Sequence, residues 1–351
     1  MKFLVVLILL LPRVMAGQPL QVPIIPRPQN VWLEEHSEGF IITPETKIVV
    51  DSPVAHRAAE SLIDSLHQLY GFRLGITTDP RTKSAIFIGL GDTKVASPEA
   101  YAIRAVPWQV FLTGGGRGLF YAVQSLLQLL SPLKTNRSLR VPKVDIYDAP
   151  RFPYRGMHLD VSRHFMPVEF VKKYIDLMAQ YKFNYFHWHL TDDQGWRIEI
   201  KKYPRLTDIG STRPQSQLGE YTTTFHGDGI PVSGFYTQEQ IREVVAYAKA
   251  RYITVIPEIE MPGHSSAVLA AYPELSCKPD QKYHVQMTWG TFREVYCPTE
   301  TTFKFLEDVL SEVIDLFPDS PYIHIGGDEV IKDMWKDSPV VKTLMEREHL
   351  K

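Results

Sequence analysis

Beyond residue 150 the chain alternates short β-prone runs with stretches whose apolar residues recur at helical spacing, and this alternation limits the folds open to it. Strands are expected at 156–161, 183–190, 252–259 and 322–325, with helices at 167–180, 238–249 and 301–316, the first carrying Pro167 in its opening turn. Strand–helix–strand units demand a parallel sheet flanked by helices. Units of this length fit a (β/α)8-type TIM barrel better than a doubly wound sheet. No Gly-rich dinucleotide fingerprint follows the first strand, which argues the same way. The four expected strands amount to the first half of such a barrel, over residues 151–351.

In a barrel of this type the chemistry gathers where the strands end. The four ends carry Ser162-Arg163-His164, then Thr191 to Trp196 with Asp192, Asp193 and Gln194, then Glu260 to His264, then Asp328-Glu329. The last is the most suggestive: Tyr322 to Ile325 reads as a buried strand that stops on Gly326-Gly327 and delivers two carboxyls side by side. Neighbouring acids held at different pKa values suit acid/base work on a sugar or carbonyl. Trp196 could wall a polar ring in the same cup. Each position also has a quieter reading: Arg163 as a partner of Asp160, Asp192-Asp193 as a cap, His264 as a satisfied core histidine, Trp196 as packing. A metal reading would join His187 and His189 with Asp192 or His264, but no His-Glu-x-x-His pattern supports it, and no metal is expected.

The remaining features bound the class. With 38 basic and 40 acidic residues there is no electrostatic case for nucleic acid or an anionic membrane surface. Lys2, the apolar run 3–11 and the small Ala16 before Gly17 outline a secretory leader over 1–16, too short to span a bilayer, so no membrane association is expected after its removal. The two cysteines, Cys277 and Cys297, lie in no Cys-x-x-Cys pattern and in an oxidising compartment would pair across one loop. Asn136-Arg-Ser138 is a glycosylation sequon if the source is a eukaryote. Residues 17–150 read as a separate α+β domain, with strands near 40–50, 84–89 and 101–113, helices at 55–70 and 119–130, and the Gly114–Gly116 run as a turn. Residues 142–153 read as the linker.

Four motifs, in order, resemble the family 20 glycoside hydrolases, the β-N-acetylhexosaminidases: Arg155-Gly-Met-His-Leu-Asp-Val-Ser-Arg-His-Phe165, Phe186-His-Trp-His-Leu-Thr-Asp-Asp-Gln-Gly-Trp-Arg197, Pro257-Glu-Ile-Glu-Met-Pro-Gly-His264 and His324-Ile-Gly-Gly-Asp-Glu329. The region before 150 likewise resembles the small domain that precedes the barrel in that family. The resemblance implies that Glu329 is the general acid/base and that Asp328 holds the 2-acetamido group of the substrate. That group is then the nucleophile, giving a cyclic oxazolinium and net retention, an exception to the two-carboxylate scheme. It implies further that Arg163 binds sugar hydroxyls and that His264 orients the acid, with Asp192 orienting His264. No cofactor is implied. The expected partners are oligosaccharides or glycoconjugates ending in N-acetylglucosamine or N-acetylgalactosamine, outside the cell, in the periplasm, or in the lysosome of a eukaryote. Because the family's barrel has eight strands, residues 1–351 alone are expected to be inactive or poorly soluble.

Overall fold

The computed structural model describes residues 22–34, 36–130, 138–219 and 224–350. The leader at 1–16 and the sequon asparagine, Asn136, lie outside them. The chain divides into two compact units, Met1–Pro150 and Arg151–Lys351.

Among its described residues the first unit has nine strands: β1 (Asn30–Glu34), β2 (Phe40–Ile42), β3 (Lys47–Val50), β4 (Gly75–Thr77), β5 (Ala85–Gly89), β6 (Tyr101–Val106), β7 (Gln109–Gly114), β8 (Leu139–Val141) and β9 (Lys143–Asp148). Seven of them form one mixed sheet in the order β1-β9-β6-β7-β5-β3-β4, while β2 pairs with β8. Its helices among the described residues are α1 (Pro53–Tyr70) and α2 (Gly116–Leu129). Helix α1 starts where the Ser52 hydroxyl accepts the Ala55 amide and ends at Gly71 in the left-handed region. It buries Ala55, Ala58, Ala59, Leu62, Ile63 and Leu66, the stripe its helical spacing dictates. The glycine run is indeed the turn between β7 and α2, with Gly115 as the N-cap.

In the second unit β10 (Gly156–Asp160), β11 (Tyr185–His189) and β14 (Thr254–Glu258) form a parallel sheet in that order. Between the last two, β12 (Thr191–Asp192) and β13 (Gly195–Trp196) make a small hairpin. The crossovers are α3 (Val168–Gln180) and α5 (Gln238–Lys249); short helices α4 (Arg205–Asp208) and α6 (Ser266–Ala271), then α7 (Glu300–Leu316), α8 (Asp333–Asp337) and α9 (Pro339–Arg347) complete the unit. Helix α5 opens on a capping box between Thr237 and Gln240. Helix α7 buries Phe305, Val309, Val313 and Leu316, each stabilising the fold by about 1.5–3 kcal/mol. No helix among the described residues is long and apolar enough to cross a membrane.

The expectation at 322–325 needs correcting. Instead of a buried strand, this segment makes a single parallel bridge between Glu258 and His324, and Tyr322 and Ile325 are 59% and 51% exposed. Its backbone bonds all run to one side: His324 N–H to the Pro257 carbonyl, and Ile259 and Met261 N–H to the His324 and Ile325 carbonyls. Among the described residues no strand pairs on the other side, and Gly326 and Gly327 (φ +62° and +98°) break the extended backbone at once. The alternation of βα units, by contrast, is present as expected for the first three strands.

Candidate active site

The loop after β10 is shaped by Asp160. One carboxylate oxygen accepts the Ser162 and Arg163 amides at 2.9 and 3.0 Å, and the other meets the Arg163 guanidinium at 2.8 Å. Arg163 also reaches Asp192 at 2.7 Å and donates to the Gln194 side chain at 3.0 Å. Its position is secured from beneath by Arg197, which is fully buried and donates to the carbonyls of Ser162, Ser211, Gly234 and Gln194. Arg197 thus ties the first strand end to the second.

The hairpin pairs Thr191 with Trp196 and Asp192 with Gly195, placing Asp193 and Gln194 at its tip. Both aspartates are buried. Asp193 accepts the Ser266 amide at 2.9 Å and hydroxyl at 2.5 Å, and its second oxygen takes a hydrogen bond from His264 Nδ1 at 2.9 Å. Asp192 lies 3.3 Å from the same nitrogen. Asp192, expected to orient His264, is joined in that contact by Asp193, whose distance is the shorter, while Asp192 is shared among Arg163, His189 and His264. Hydrogen bonds to Asp192 and Asp193 push the His264 imidazole up to about 11 against the cost of its burial, so it is a cation at neutral pH. Burial raises Asp192, but His189, His264 and Arg163 outweigh it and hold the carboxyl well below the usual range.

His264 Nε2 faces the fourth strand end, 3.7 Å from Asp328 Oδ2 and 3.6 Å from Glu329 Oε2. Asp328, Glu329, His264, Asp192 and Arg163 thus gather at one place, as expected. His264 and Glu329 both have left-handed backbones, φ +46° and +50°, the kind of strain that non-glycine residues hold where function requires it. Gly326 is left-handed (φ +62°), and a Cβ there would lie 1.6 Å from Glu260 Oε2, so any other residue would strain the backbone and displace the Glu260 carboxylate from the turn carrying the pair.

Trp196 corrects the sequence reading. It is 1% exposed, and its indole N–H donates to the Ile198 carbonyl at 2.6 Å, so neither ring face is open to a sugar. The hairpin turns it inward. An ionic cluster that sequence reasoning missed lies beneath the site. Buried Glu258 receives His187 and His324 at 2.7 Å each and His189 at 3.3 Å, while His189 bridges on to Asp192 at 3.1 Å. Burial would raise Glu258, but its histidines bring it down to about 2. Glu260, also buried, is pushed up to about 7 by burial and by Glu258 and Asp192. Two glutamates flanking Ile259 at the end of an apolar strand were the available signal. Among the described residues His187 and His189 share no candidate metal group: His158, His187 and Glu258 lie within 4.8 Å of one another, and separately His189, Glu258 and Glu260, so the grouping of His187 and His189 with Asp192 or His264 is not formed, and each of the two histidines turns a nitrogen to the Glu258 carboxylate. Cys277 and Cys297 form a disulfide, as expected.

The chain as a whole resembles known proteins. The glycosyl hydrolase family 20 catalytic-domain profile matches residues 152–351, and the domain 2 profile of the same family matches 21–149. A β-hexosaminidase of Porphyromonas gingivalis is 45% identical over 337 residues, covering 93% of this chain and 41% of that protein. One of Vibrio furnissii is 42% identical over 332 residues, covering 93% and 51%. Among solved structures, the exo-β-N-acetylglucosaminidase of Vibrio harveyi in complex with N-acetylglucosamine superimposes with a TM-score of 0.79 at 34% identity, covering 94% of this chain and 50% of that one. A Streptomyces plicatus β-hexosaminidase with bound product gives 0.77 at 34%, covering 94% and 64%. The chain spans about half the length of the curated relatives it matches. With the catalytic-domain profile matched from residue 152 to residue 351 and relatives above 40% identity, the chain belongs to glycosyl hydrolase family 20.

Proposed function

We propose that this sequence carries the acid/base side of an exo-acting, retaining β-N-acetylhexosaminidase that removes terminal N-acetylglucosamine or N-acetylgalactosamine from oligosaccharides and glycoconjugates. The observation that carries the reading is the adjacency of Asp328 and Glu329 within 3.7 Å of one buried, doubly held imidazolium. Glu329 protonates the glycosidic oxygen, and its new negative charge develops beside the His264 cation, which stabilises it. Asp328 holds the acetamido N–H, so that the acetamido oxygen attacks the anomeric carbon and the sugar closes on itself. Water, activated by Glu329 acting now as base, reopens the ring with overall retention. This explains how two acids can be neighbours: a protein nucleophile would have to lie across the sugar from the acid. Arg163 reads the hydroxyls, Asp192 and Asp193 hold His264, and the scheme requires no cofactor.

A second reading, a sugar-binding unit without turnover, is favoured by the exposure of the Asp328 and Glu329 side chains, 70% and 53%. It fits a pair of acids carried on a segment that, among the described residues, pairs on one side alone. The leader-like N-terminus and the disulfide support an exported protein in either case. Replacing Glu329 by Gln in the gene product that carries this sequence separates the two. Enzymatic turnover should fall by about 10²–10⁴ with sugar affinity retained; unchanged turnover removes Glu329 from the acid's role. Residues 1–351 alone should release no nitrophenol from the N-acetylglucosaminide, and release would reject the half-barrel expectation.

A further inference from the structure

The segment closed by the Cys277–Cys297 disulfide borders both ends of the site. On the acid side the Thr291 hydroxyl donates to Glu329 Oε2 at 2.8 Å. On the arginine side the Gln194 amide, which accepts from Arg163 through its oxygen, donates through its nitrogen to the Thr288 carbonyl at 3.0 Å. The Gln286 amide donates to the Asp193 carbonyl at 2.9 Å, and the Gln217 amide to that of Met287. Val285 on one side and Val295, Tyr296 and Cys297 on the other are buried, so the segment is anchored at both ends and pinned at its middle. Between the anchors stands Trp289, 49% exposed, lining one cleft with Arg163, Gln194 and Met287.

A large indole held half-open beside a guanidinium is what an apolar sugar face with polar edges recognises: C–H groups against the ring, hydroxyls toward the arginine. We infer that Trp289 is a substrate-contacting, specificity-determining residue, supplying the apolar wall for the sugar whose hydroxyls Arg163 binds. The disulfide-closed loop is then a recognition element. This deepens the proposed function and rests on it through the role of Arg163. It also supplies an aromatic contact that Trp196, being buried, cannot provide.

The test uses the gene product titrated calorimetrically with N-acetylglucosamine, which carries no glycosidic bond to be cleaved. Trp289→Ala should weaken binding about tenfold, the size expected for losing one aromatic face, and Trp289→Phe should restore most of it. Because Trp289 is half exposed, thermal unfolding should be unchanged. Arg163→Met provides the control. If Arg163→Met weakens binding and Trp289→Ala does not, the inference is overturned while the functional reading stands. If neither variant alters binding, or if no binding occurs at all, both fail.

Discussion

Glu260 offers a test of the site's electrostatics that needs no substrate. Its carboxyl is buried against Gly326, one oxygen has no hydrogen-bond partner, and Glu258 and Asp192 add negative charge nearby. Together these raise it from 4.5 to about 7. Between those values the unfolded chain has lost its proton and the folded chain has kept it. Ionisation therefore costs folding free energy, beginning near pH 4.5 and reaching its full extent above about 7. At 1.36 kcal/mol per pH unit this cost is about 3 kcal/mol. Glu260→Gln keeps the shape and removes the charge, so at pH 8 the variant should be the more stable by about that amount. In a domain of this size this is a rise of roughly 6–10 °C in the unfolding midpoint. At pH 4 the two proteins should coincide. Calorimetry at both pH values decides the matter: a destabilised variant at pH 8, or a difference independent of pH, would refute the reasoning.

Other perturbations address the framework. Asp193→Asn removes the shorter of the two hydrogen bonds that keep His264 charged; because a raised histidine stabilises the fold below pH 6.5 and loses that contribution as pH climbs toward about 11, the variant should lose about 2 kcal/mol at pH 6 and progressively less in alkali, as read by urea unfolding, with the His264 titration followed by NMR moving to lower pH. Gly326→Ala forces both a left-handed alanine and a clash with Glu260, and should cost at least about 2 kcal/mol in the same assay; a neutral outcome would mean the turn is not held against the third strand end. Replacing Cys277 and Cys297 together by Ser reopens a loop of sequence separation 20 and should lower stability by about 3 kcal/mol in urea, whereas an unaltered midpoint would show that the anchors at Val285 and Val295 suffice.

Much of the site was legible because barrel chemistry follows strand ends, and strand ends follow from the period of the apolar residues. Arg163, Asp192, His264, Asp328 and Glu329 were all singled out that way, whereas the cysteine pair was read from there being two cysteines behind a leader-like N-terminus. Four features were not legible. Trp196 ends a two-residue strand whose hairpin turns it into the core, and no periodicity is readable over so short a piece. Asp192 and Asp193 differ only in which side of that hairpin tip each one faces, a matter of backbone direction that composition does not encode. The segment 322–325 has the residues of a strand, but pairing depends on neighbours elsewhere in the fold, and here it has one. The Glu258 cluster was overlooked for a related reason: its histidines come from two segments far apart in sequence, β11 and 322–325, brought together only by the fold.

The central claim is that Asp328 and Glu329 act on one amino sugar, the first through its amide and the second through its glycosidic oxygen. The direct measurement is the rate at which the gene product carrying this sequence releases nitrophenol from the β-N-acetylglucosaminide, compared with the β-glucoside that has a hydroxyl in place of the acetamido group. The account predicts steady release from the first and none above background from the second. Comparable rates on both would contradict it, since the substrate's own amide would then not be the nucleophile.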